Sequence, residues 1–70
     1  MNNTNKLKEI RENKDMKQID LALMLNVSQR TISAWETGRR TPSPKFMQQI
    51  EDIFNVPKED IFFTAFSYKM

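Results

Sequence analysis

The chain has 70 residues, no cysteine, no histidine, one glycine and a formal net charge of +2. That length supports one domain, and the composition removes disulfide staples, thiolate ligands and the most common general base and metal ligand. No apolar run approaches the roughly 18 residues a bilayer crossing needs, and Met1 to Lys6 lack the apolar stretch of a secretory signal, so a cytoplasmic protein with no membrane association is expected.

In chain order, the first helix is predicted from about Asn5 to Asn13. Leu7 and Ile10 share a face, and Thr4 or Asn5 is available to cap its start. Lys14-Asp15 reads as a turn. The second helix runs from about Gln18 to Leu25, with Leu21, Ala22, Met24 and Leu25 apolar at helical spacing and Ile19 at the core edge. Asp20 lies in its first turn, where a carboxylate favours the positive helix end. Asn26 supplies a left-handed stop. Ser28 caps a third helix that passes through Ile32 and Trp35 to about Thr37, and Gly38 ends it. Pro42 and Pro44 keep Arg39 to Pro42 extended. Ser43-Pro44 then opens a fourth helix carrying Phe46, Met47, Ile50, Ile53 and Phe54, with Asn55 as its stop. Pro57 opens a short fifth helix that turns Ile61 and Phe62 inward. The expected fold is all-α, a compact bundle of five short helices, with a core over about 6–63 and a short tail, 64–70. Phe66 and Tyr68 in that tail can pack or stay free. Phe62-Phe63 can mark a dimer surface, or both can pack beneath the tail.

Charge is unevenly spread. Residues 1–45 hold nine Lys/Arg against five Asp/Glu, whereas residues 46–70 hold two against four. A basic front suits an anionic partner approaching from one side.

The stretch from Gln18 to Arg40 carries the functional signal. Only Asn26-Val27-Ser28 separates the second and third helices, which makes them cross steeply. Ala22 is small where the helices must approach. Leu21, Leu25 and Val27 form a seam that Ile32 and Trp35 complete, so Trp35 is a core residue rather than a stacking platform. The opposite side of the third helix then offers Gln29, Arg30, Ser33 and Thr37, with Ala34 at its edge. Gln pairs with adenine edges and Arg with guanine, and a helix fits the major groove. Free N–H groups at helix starts, here around Ser28 and Thr31, hold phosphates. The Gln18 amide at the start of the second helix is placed for a phosphate too, and Arg39 and Arg40 lie where cations meet the DNA backbone or a minor groove. Asp15 and Asp20 do not form an acid–base pair, since a turn and a helix start use carboxylates for capping and solvation. No catalytic residues, metal ligands or cofactor site are visible, and the chain is not expected to be an enzyme.

The segment from Gln18 to Arg39, with Gln before Leu-Ala, Val-Ser before the third helix, Thr-Ile-Ser within it and Trp-Glu-Thr-Gly-Arg at its end, resembles the helix-turn-helix of the Cro/C1-type (XRE-type) regulators. The resemblance spans about residues 6–63, including Phe54-Asn55-Val56-Pro57 at the entry to the fifth helix. It implies the lambda-repressor-like fold and regulation of transcription, in the repressor sense, through a double-stranded DNA operator bound as a homodimer. It further implies base-reading roles for Gln29, Arg30 and Ser33, with Ala34 variable beside them, and backbone contacts from Gln18 and Arg39. Arg11 and Glu36 match an ion pair that ties the first helix to the end of the third. Two residues depart from the family pattern. Asn26 stands where glycine is usual, which its tolerance of positive φ accommodates. Lys17 stands where Ser or Thr usually caps, a weaker cap by roughly 1 kcal/mol. With no separate dimerisation domain, a weak self-contact through the fifth helix and the tail is expected. The competing expectation is a protein-interaction module, an antitoxin-like or regulatory partner that reuses the fold.

Overall fold

The computed structural model describes residues 5–62. Among these, the chain forms five helices and no strand: α1 (Leu7–Asn13), α2 (Gln18–Leu25), α3 (Gln29–Glu36), α4 (Pro44–Phe54) and α5 (Lys58–Ile61). The expected roles of Thr4, Phe63, Phe66 and Tyr68 fall outside the described residues.

Polar residues make the chain reversals. Asp15, Asn26 and Asn55 have φ of 55°, 60° and 57°, and Gly38 has φ of 80°. Asn and Asp visit this left-handed region because their short side chains bond locally. At Asn26 the backbone N–H bonds the Leu23 carbonyl and Val27 N–H bonds the Ala22 carbonyl, so the end of α2 is closed without glycine. Ser28 accepts the Thr31 N–H on its hydroxyl at 3.1 Å, fixing the start of α3. α4 begins with Pro44 in its first turn behind Ser43, whose side chain makes no capping bond.

Two helix starts depart from the expected form. α1 begins at Leu7 rather than Asn5. The Asn5 side chain accepts the Leu7 N–H at 3.0 Å and donates to the Trp35 carbonyl at 2.8 Å. These bonds hold Asn5 outside the helix and tie the entry of α1 to α3. At the start of α2, Lys17 gives no side-chain cap, but its backbone N–H donates to the Asp20 carboxylate at 2.9 Å. Asp20 thereby supplies the reciprocal half of a capping box whose first half is absent.

The core gathers Leu7 from α1; Leu21, Ala22 and Leu25 from α2; Ile32 and Trp35 from α3; Met47, Ile50 and Phe54 from α4; and Ile61 with Phe62 from α5. Each large aliphatic side chain here contributes about 1.5–3 kcal/mol on burial. α2 and α3 pack on each other most extensively, with Ala22, 1% exposed, beneath the crossing. Trp35 is buried and lies 5.3 Å from Phe46, ring centre to ring centre, in a tilted pair, so its core assignment holds. At the other end, Lys6 N–H donates to the Ile61 carbonyl at 2.9 Å, and Lys58 bonds Glu51 and Gln48 of α4 through its ammonium. These links fasten α5 to both α1 and α4.

α2 corrects one expectation. Met24 and Ile19 are exposed at 56% and 42%, as is Leu23 at 73%. The helix is apolar almost all round, and the side facing α3 is set by Leu21, Ala22 and Leu25. Ile19 and Met24 lie about a third of a turn to either side of the centre of that face, at 100° per residue.

Candidate nucleic-acid interface

The crossing of α2 and α3 decides which side of α3 stays open. Ile32 and Trp35 point into the core. Gln29 and Arg30 on the opposite side are exposed, Thr37 beyond the helix end is exposed, and Ser33 and Ala34 are half-buried. The expected polar face of α3 is therefore open in the folded chain. Gln29 begins the helix, Arg30 follows one residue later, and Ser33 and Thr37 succeed Gln29 at intervals of four. Together they form one strip of donors and acceptors along the axis.

The flanking residues divide by what already occupies them. Arg39 and Arg40 are exposed, and their backbone N–H groups both bond the Ala34 carbonyl, at 3.0 and 3.3 Å. These two hydrogen bonds to one carbonyl fold the post-helix loop back on α3 and hold Arg39 and Arg40 beside its C-terminal end. The Thr37 hydroxyl donates to the Ser33 and Ala34 carbonyls at 3.0 and 3.2 Å, so it caps the helix end. Ser28 and Thr31 share a hydroxyl–hydroxyl bond of 2.9 Å. Ser28 is exposed and Thr31 half-buried at the N-terminal end of α3, where unpaired backbone N–H groups give the helix its positive end.

Beneath this strip lies a polar chain. Arg11 is buried at 6% exposure. Its guanidinium grips Glu36 with two bonds, Nε to Oε2 at 2.6 Å and Nη2 to Oε1 at 3.2 Å. The Glu36 side chain is only 3% exposed. The remaining Arg11 nitrogen, Nη1, donates to the Met16 carbonyl at 2.6 Å, which closes the turn between α1 and α2. Hydrogen bonding to Glu36 raises the Arg11 guanidinium above its ordinary value, partly opposed by burial. The pair expected from the sequence is thus present, in the two-pronged geometry that makes Arg–carboxylate bonds strong.

Gln18 joins this pair to the open face. Its Nε2 donates to Glu36 Oε1 at 3.0 Å, and its Oε1 accepts from Gln29 Nε2 at 3.3 Å. An unbroken hydrogen-bonded line therefore runs Arg11–Glu36–Gln18–Gln29. The position of Gln18 at the start of α2 predicts a phosphate contact, whereas its amide is engaged by Glu36 and Gln29. The signal was available: Gln18, Leu21, Ala22 and Leu25 follow the i, i+3, i+4, i+7 spacing of a single helix face, so Gln18 stands on the inward side of α2.

Among the described residues, no group of three or more His, Cys, Asp or Glu is placed to hold a metal ion, and no helix is long and apolar enough to cross a membrane.

The chain is similar to known proteins over most of its length. Residues 7–61 match the Helix-turn-helix family profile. The chain is 47% identical over 58 residues to an uncharacterised HTH-type transcriptional regulator of Methanocaldococcus jannaschii, covering 83% of this chain and 88% of that protein. It is 39% identical over 57 residues to an uncharacterised HTH-type transcriptional regulator of Archaeoglobus fulgidus, covering 81% and 80% of the two chains.

Proposed function

The chain belongs to the Cro/C1-type helix-turn-helix family of DNA-binding transcriptional regulators, and on that premise we propose that it reads a double-stranded DNA operator by laying α3 in the major groove. Gln29, Arg30 and Ser33 meet base edges, with Ala34 beside them. Ser28, Thr31, Thr37, Arg39 and Arg40 face the DNA backbone, whereas Gln18, engaged by Glu36 and Gln29, lies beside the reading residues. The carrying observation is the exposed polar strip of α3 beginning at Gln29 and Arg30, next to two exposed arginines and opposite a buried apolar side. A helix of this width fits the groove, and Gln and Arg are the side chains that pair with adenine and guanine there.

In this reading the protein acts in the cytoplasm as a repressor, since a bound operator excludes other proteins from the same DNA. Two copies bind half-sites about one helical turn, or 34 Å, apart. The second copy is contacted weakly through α5 and the tail.

Selection from a random duplex pool tests the proposal. Gln29→Ala and Arg30→Ala relax preference at particular base pairs, each by about 1–3 kcal/mol. Arg39→Ala weakens binding to all sequences and lowers the salt slope by about one unit. Salt-insensitive binding, or an equal loss on all sequences from every substitution, would reject direct reading by α3. Sedimentation with and without the selected duplex tests the paired sites, and a strict monomer on DNA rejects them.

A further inference from the structure

A groove of about 460 Å³ lies between α1 and α5, lined by Lys6, Glu9, Ile10, Val56, Glu59 and Asp60. None of these residues belongs to the surface proposed to meet DNA. The Lys6 N–H bond to the Ile61 carbonyl, at 2.9 Å, holds the two walls together. Ile10 and Val56 are half-buried against the core and supply the apolar lining. Glu9, Glu59 and Asp60 are exposed, and among the described residues none of the three carboxylates is in an ion pair. With only the Lys6 ammonium against them, the rim is acidic. We propose that this groove holds the chain's own segment 63–70, with Phe66 and Tyr68 against Ile10 and Val56 and the Lys69 ammonium among the carboxylates. The inference is independent of base reading by α3.

Charge and pattern single out this occupant. The segment reads Phe63-Thr-Ala-Phe-Ser-Tyr-Lys-Met70, with no acidic residue and one cation, the complement of an acidic rim. Phe66, Tyr68 and Met70 alternate with Ser67 and Lys69, so along an extended backbone the apolar side chains fall on one side and the polar ones on the other. A lysine lays its methylene stem along apolar surface while its ammonium reaches sideways to a charge. Residues 1–4 also adjoin the groove, but they bring Met1 as their sole apolar side chain and no charged side chain. Reach is ample. Asp60, in the groove wall, stands two residues before Phe62, and the eight residues beyond it span up to about 26 Å. All of α1, seven residues long, measures only about 10 Å. Tethering decides between this groove and that of a second copy. A segment joined so closely is present at an effective concentration on the order of millimolar, well above that of other copies in dilute solution.

The chain has no cysteine, so Ser67→Cys gives a single attachment point for a nitroxide spin label. The amide signals of Glu9, Ile10 and Val56 are followed by NMR before and after the label is reduced, on the full chain. These signals are expected to lose most of their intensity while the label is active. Two variants of the labelled chain are each expected to restore most of it. Phe66→Ser with Tyr68→Ser removes the rings. Glu9→Lys with Glu59→Lys reverses the rim at two exposed positions, and melting confirms that the fold is kept. Adding Lys69→Glu to the reversed rim brings the loss of intensity back. A mixture of isotope-enriched chains without the label and unenriched chains with it reads contacts between copies only, and no loss is expected there. Unchanged signals at Glu9, Ile10 and Val56, a loss that persists in either variant, or no return of the loss with Lys69→Glu would overturn the proposal. So would a loss in the mixture, which would put the segment in the groove of a second copy.

Discussion

Replacing Arg11 by methionine keeps an unbranched side chain of similar reach and deletes the guanidinium. Glu36, with its side chain 3% exposed, then keeps one side-chain donor, the Gln18 amide, and the Met16 carbonyl loses its 2.6 Å bond. Breaking a buried pair from one side costs about 3–5 kcal/mol, because a charge is left out of water without its partner. A domain of this size holds only about 0.05–0.15 kcal/mol per residue, or roughly 4–10 kcal/mol in all. Arg11→Met therefore removes between a third and all of the stability. For a chain this short each kcal/mol moves the midpoint by about 4–8 °C, so a fall of at least about 12 °C is expected. Urea unfolding gives the free energy directly, provided the slope is unchanged. Arg11→Met combined with Glu36→Leu removes both charges and recovers most of the loss, since an apolar replacement of a buried pair is often neutral or better. A loss below about 1 kcal/mol in the single variant would mean the pair behaves as a solvated one. No recovery in the double variant would place the loss in packing rather than in an orphaned charge.

Lys17→Ser supplies the side-chain cap that α2 lacks and raises stability by about 1 kcal/mol in urea unfolding. Ser28→Ala removes the bond to the Thr31 N–H and costs about the same, read as earlier thermal unfolding. Lys58 hydrogen bonds hold the Glu51 carboxyl below its ordinary value. The contribution is present above the unfolded-state value and is lost as pH falls through the lower folded value, so Glu51→Gln flattens the acid limb of a stability–pH curve. Coincident curves for the two proteins would contradict it.

The elements that announced themselves did so through local chemistry. α3 is bracketed by Ser28 and Gly38, α2 by its first-turn Asp20 and by Asn26, and α4 by Ser43-Pro44 and Asn55. The start of α1 was not legible, because what excludes Asn5 is in part a bond to a carbonyl thirty residues away at Trp35. Ile19, Leu23 and Met24 show a different limit. On a helix with six apolar residues in eight, spacing offers several possible inner faces, and the placement of α3 chooses among them. At the site, the outward side of α3 followed from Ile32 and Trp35 alone. The connection of Gln18 to Glu36 is not legible from apolar spacing, because it depends on a polar side chain on the inner face of α2 meeting the end of α3.

The left-handed corners at Asp15, Asn26 and Asn55 also bear on the denatured chain. A glycine at each would fit the same φ while giving the unfolded polymer more conformations to surrender; the comparable glycine-to-alanine difference is about 0.4–1 kcal/mol per site. With one glycine in 70 residues, this small protein limits the disorder it must overcome, and part of its persistence comes from how little freedom its unfolded form possesses.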